Sequence, residues 1–142
     1  MTQTHLPPQW RQRLLAIVNG HGWLQGTFFP EGMRFLAAWA QAEGGTAAWN
    51  PLNTTLHVSS GIVPWQSSPD YNSAGVCNYK KPTYGVMATA ATLVNGFYDG
   101  ILGDLQNGTK TAEQITNDRW DEIKTWGTNP QTIIDVLKTT AV

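Results

Sequence analysis

Residues 33–55 read MRFLAAWAQAEGGTAAWNPLNTT, and the fold turns on how that stretch is read. Leu36, Trp39, Ala40 and Glu43 fall at i, i+3, i+4 and i+7, which is one stripe of a helix. The stripe is apolar until its last member, a carboxylate. Gly44-Gly45 then stops the helix, with Gly44 at the position where the chain leaves through a left-handed residue. An acid closing an apolar stripe needs a partner or a task, because burying an unpaired charge is costly. Free carbonyls and the negative end of the macrodipole disfavour a carboxylate there as well. Glu43 is therefore the candidate catalytic acid, set against the plainer reading of a solvated glutamate at a helix end.

Working outward, Pro7-Pro8 precedes a predicted helix over residues 9–19, with Trp10, Leu14, Ile17 and Val18 on one face. Pro30-Glu31 opens the helix that ends at Glu43. Between residues 46 and 81 the helical period vanishes: Asn50-Pro51, Gly61, Pro64 and Pro69 cut the chain into turns, with short extended pieces expected at 54–58 and 75–79. A long irregular stretch in a small domain is functional or disordered, and its aromatic residues argue for order. Pro82-Thr83 starts a helix through residue 94, with Val86, Ala90 and Leu93 as its core stripe. A short helix over 98–106 follows. Thr111 and Gln114 form a capping-box signature for a segment that breaks near Asn117, reaches Trp126 and stops at Gly127. Asn129-Pro130 restarts a last helix over 131–138. The expected fold class is mainly α (α+β), one domain over residues 1–142, with helices around a central glutamate-bearing helix and a small irregular or β lobe.

Composition narrows the function. With 41% hydrophobic and 13% charged residues and a net charge of -1, the chain lacks the clustered cations that nucleic acid binding needs. Cys77 is the single cysteine, so no intrachain disulfide is available and a small buried thiol is expected. His5, His21 and His57 lack metal-ligand spacing, and no Gly-x-Ser-x-Gly elbow or phosphate loop occurs; no metal and no cofactor are expected. Seven tryptophans suit half-buried sites, most as core and core rim, two or three in a carbohydrate-binding groove. The N-terminus does not read as a signal peptide, and no apolar run approaches the ~20 residues of a membrane span, so no membrane insertion is expected.

The segments AWAQAEGGTAAWNPLNTT (residues 38–55) and DYNSAGVCNYKKPTYGVMATAATLVNGFYDGILGDL (residues 70–105) resemble the lysozyme-like peptidoglycan hydrolases and lytic transglycosylases of actinobacteria and their phages. The family's pattern is a helix ending in Glu-Ser-Gly-Gly or a variant, an Asn-Pro turn, and an Asn-x-x-Gly-[Val/Ile/Leu] segment on the other cleft wall. Here Glu43-Gly44-Gly45, Asn50-Pro51 and Asn72-Ser73-Ala74-Gly75-Val76 match it, within residues 34–105. Two departures are that the serine after the acid is missing and that no Gly-Leu-Met-Gln signature occurs. The resemblance implies a lysozyme-like fold and cleavage of the β-1,4 bond of peptidoglycan glycan strands, with Glu43 as proton donor. It also implies a setting: a phage endolysin or virion-associated lysin, made in the cytoplasm of an infected bacterium and acting on the cell wall or carried in a virion.

Hydrolysis of a glycosidic bond ordinarily uses two carboxylates. Asp70 is the candidate second one, although an aspartate after proline is equally a turn former; Asp99 and Asp104 read as solvated. Without a second acid, Glu43 serves alone as acid and then base in a lytic transglycosylase, the slightly favoured route. Asn53, Thr54, Thr55, Asn72, Asn78 and Tyr79 offer amides and hydroxyls for sugar hydroxyl and N-acetyl groups. Tyr71 lies among them, and Trp49 and Trp65 offer faces for a pyranose. Two readings from other classes remain: a non-catalytic glycan-binding module, and a structural virion protein on the same scaffold.

Overall fold

The computed structural model describes residues 30–44, 50, 52–55, 76, 79, 82–93 and 95–139. Their regular structure is helical: α1 (Pro30–Glu43), α2 (Pro82–Leu93), α3 (Asp99–Asn107), α4 (Ala112–Asp118), α5 (Trp120–Trp126) and α6 (Pro130–Thr139), with no strand among the described residues. The helix expected over 9–19 and Cys77 lie outside the described residues, as do most positions of the extended pieces expected at 54–58 and 75–79; of those pieces Thr54, Thr55, Val76 and Tyr79 are described and belong to no strand.

Helix α1 is central. Phe35, Leu36, Ala37, Ala38, Trp39 and Ala40 are all fully buried, so the helix is covered on every side and not along one stripe only. Three of those six are alanines, which let neighbouring backbones approach from several directions. Helices α4 and α6 pack on α1 and on each other, while α2 packs on α3. Phe35, Leu36, Trp39, Leu52, Leu93, Ile101, Leu105, Ile115, Ile123 and Ile133 belong to one continuous core.

Charged side chains lock the helix starts. Glu31, in the first turn of α1, accepts the Ala112 N–H at 2.9 Å and so satisfies a free donor at the start of α4. Arg34 forks onto Glu113 through bonds of 2.8 and 2.9 Å. Thr111 and Gln114 form the expected capping box in both directions, at 3.1 and 2.8 Å. Helix α3 has no side-chain cap of its own. Glu122 supplies one from α5, its two oxygens accepting the Gly100 and Ile101 N–H groups, each at 2.9 Å.

The break expected near Asn117 occurs, two residues on at Arg119, where α4 ends and α5 begins. One expectation is corrected. Asp104 is buried instead of solvated, at 7% exposure. Arg119 holds it at 2.7 and 3.1 Å, and Lys110 at 3.2 Å. Burial pushes its carboxyl up, but the hydrogen bonds and charges of Arg119 and Lys110 outweigh that and hold it below the usual carboxylate range.

Candidate active site around Glu43

Helix α1 delivers Glu43 as its last residue. Gly44 follows with a φ of 60°, and its N–H returns to the Ala40 carbonyl at 3.2 Å. This is the left-handed helix stop that the two glycines announce. Glu43 is half-buried, and side chains from two other parts of the chain reach its carboxylate. The Asn53 amide donates to Oε1 at 2.9 Å. The Thr128 hydroxyl donates to Oε2.

The loop that brings Asn53 is pinned at several points. The Asn50 side-chain amide pairs with the backbone of Thr54 in both senses, donating to its carbonyl and accepting from its N–H, each at 2.9 Å. The Asn50 carbonyl accepts the Asn53 N–H at 3.2 Å, closing a turn. Asn53 itself has a φ of 56°, a left-handed conformation that asparagine tolerates better than most residues. Leu52 is fully buried, and its carbonyl accepts the Trp126 indole N–H at 2.8 Å. Thr54 and Thr92 hydroxyls meet at 2.7 Å. Since Thr92 gives its single hydrogen to the Ala88 carbonyl at 2.8 Å, Thr54 is the donor in that pair.

An aromatic cluster backs the site. The Trp39 and Trp126 rings meet edge-on at 5.0 Å, Trp126 and Tyr98 at 5.1 Å, and Phe35 tilts onto Trp39 at 5.5 Å. Burial, and after it the charge of Glu122, pushes the Tyr98 hydroxyl above its usual range.

Thr128 is placed by a stop and a restart. Gly127, with a φ of 107°, ends α5. Its N–H bonds to the Lys124 carbonyl and that of Thr128 to the Ile123 carbonyl, the paired bonds of a Schellman motif. Immediately afterwards Asn129 caps α6, its side-chain oxygen accepting the Gln131 N–H at 3.0 Å. An open depression of about 290 Å³ lies beside this turn, lined by Trp120, Lys124, Gly127, Thr128, Asn129 and Pro130.

Of the residues singled out from sequence, the structure joins Glu43 and Asn53 directly. Thr54 is buried with its hydroxyl against Thr92, Thr55 is exposed, and Tyr79 is buried. Asp70, Trp49, Trp65, Tyr71, Asn72 and Asn78 lie outside the described residues. Sequence reading missed Thr128 and Trp126. The helix stop and restart around Gly127 and Asn129-Pro130 marks their turn, but nothing local pairs Thr128 with an acid 85 positions away. Among the described residues, no group of three or more His, Cys, Asp or Glu side chains converges as a metal site. No helix among them is long and apolar enough to cross a membrane. Compared with protein-family models, curated proteins and solved structures, the chain matches none.

Proposed function

We propose that this chain cleaves peptidoglycan glycan strands as a glycosidase, a muramidase or a lytic transglycosylase of lysozyme-like fold, with Glu43 as the general acid and base. The observation that carries the reading is the double tether on the Glu43 carboxyl, Asn53 on one oxygen and Thr128 on the other. The two donors, from separate turns, hold the Glu43 carboxyl in one place, as a proton-transfer group requires because its reach to the scissile oxygen must be fixed.

In this scheme Glu43 gives its proton to the bridging oxygen as the bond to the anomeric carbon breaks. The resulting carboxylate then takes a proton from the attacking group. In a transglycosylase that group is the sugar's own hydroxyl, which closes an anhydro ring, and the acid is regenerated without a second carboxylate. In a hydrolase the attacker is water, and Asp70 is the candidate partner. The other acids near the core are occupied: Glu31 and Glu122 cap helices, and Asp104 and Glu113 are paired with arginines. That distribution favours the single-acid route. The biological setting, a phage lysin either released as an endolysin or carried in the virion, rests on the resemblance of residues 34–105 alone.

The test is release of soluble fragments from purified cell walls. Wild type should release them and Glu43→Gln, which keeps the shape and the Asn53 contact within reach, should not. Activity retained in Glu43→Gln would remove the proposal.

A further inference from the structure

We infer that Thr128 is the positioning residue of the Glu43 carboxyl, which makes the turn between α5 and α6 part of the working site; the inference rests on Glu43 being the acid. Three features of the hydrogen-bond chain carry it. The Trp39 indole N–H donates to the Thr128 hydroxyl oxygen at 2.8 Å, and Trp39 is fully buried. An indole N–H can only donate, so the hydroxyl is fixed as its acceptor and has one hydrogen left. That hydrogen goes to Glu43 Oε2. The sense of the chain, indole to hydroxyl to carboxylate, is thus set by its buried end.

The geometry adds a mechanical reason. Trp39 and Glu43 are four residues apart on α1, so their side chains lie one turn apart on the same face. Thr128 spans them from a different helix pair and clamps the last turn of α1, where a long acidic side chain would otherwise explore several rotamers. Thr128 itself is 7% exposed and has little freedom, fixed on one side by the Gly127 stop and on the other by the Asn129 cap. With Oε2 committed to Thr128 and Oε1 to Asn53, the plane of the carboxyl is defined by two turns that do not share a helix. Thr128 acts through Glu43 and is a positioning residue, with no role assigned to it in contact with substrate.

The experiment is steady-state cleavage of soluble glycan strands from peptidoglycan by wild type, Glu43→Gln, Thr128→Val and Thr128→Ser, each checked for folding by circular dichroism and thermal unfolding. Thr128→Val keeps the branched shape and removes the hydroxyl; a misplaced reacting group of this kind costs about 100-fold in turnover. The expected result is a fall of that order in kcat with KM unchanged, and recovery of most of it in Thr128→Ser. Should Thr128→Val not fold because the Trp39 indole is stranded, Thr128→Cys keeps a polar atom beneath the indole but donates weakly, and the same loss in kcat is expected. Wild-type kcat in the folded valine variant, a loss confined to KM, or a serine variant as impaired as valine overturns the positioning role and leaves Glu43 as the acid. If wild type releases nothing, or Glu43→Gln cleaves, the reading of Glu43 falls and this inference with it.

Discussion

Replacing Trp126 with phenylalanine should loosen the loop that carries Asn53, and the cost can be worked from its contacts. The indole N–H of Trp126 is bonded to the Leu52 carbonyl at 2.8 Å, and Leu52 is fully buried. Without that donor a buried carbonyl is left unsatisfied, which costs about 1–3 kcal/mol. Phenylalanine retains an aromatic face toward Trp39 and Tyr98 but leaves part of the indole volume empty, adding about 1 kcal/mol. Trp126 is partly exposed, so the lower half of the summed range is expected, about 2–3 kcal/mol, or a drop of roughly 10 °C in Tm for a domain of this size. Equilibrium denaturation with urea measures it. A destabilisation below about 0.5 kcal/mol, the level of an inconsequential surface change, would refute the claim that this bond anchors the loop.

Three further outcomes follow from the geometry. Glycine to alanine inside a helix ordinarily stabilises, but a Cβ on Gly100 would lie 2.5 Å from the Glu122 oxygen that caps α3 and 2.8 Å from Arg119 Cδ and Nε; Gly100→Ala should therefore destabilise by about 1–3 kcal/mol in thermal unfolding. At position 53 the left-handed backbone makes glycine more stable than alanine by about 1 kcal/mol, while both lose the amide on Glu43 and should show the same reduced activity; calorimetry and wall cleavage separate the two effects. In acid, Asp104 stays charged in the folded protein at pH values where the unfolded chain has bound a proton. Its stabilisation is complete above the unfolded carboxylate pKa and is lost as pH falls through the lowered folded one, so Asp104→Asn should flatten the acid limb of a stability–pH curve.

The parts of the fold that were readable in the sequence are those with local causes. Gly44 after the Leu36–Trp39–Ala40 stripe marks the end of α1, Thr111 with Gln114 marks the start of α4, and Asn129-Pro130 marks the start of α6. Each is a contact or conformation set within a few residues. The departures come from partners distant in the chain. Asp104 read as solvated because Arg119, which neutralises it, sits 15 residues on, at the junction of α4 and α5. Trp39 read as one member of a stripe, whereas alanines on the remaining faces of α1 let the fold close round it. The site divides in the same way. Glu43 stood out as an acid where an apolar stripe ends, and Asn53 as an amide in the loop that follows. Thr128 carries no mark of its role, since a hydroxyl between a helix stop and a helix cap has an ordinary local explanation, and only the packing of α5 and α6 beside α1 brings it to Glu43.

The most direct measurement is digestion of purified peptidoglycan by wild type and Glu43→Gln, with the fragment ends identified by mass spectrometry. The account predicts soluble fragments from wild type alone, carrying anhydro-muramic ends if Glu43 works as a single acid and base and reducing ends if a second carboxylate joins it. Fragments from both proteins, or from neither across several wall types, would contradict it.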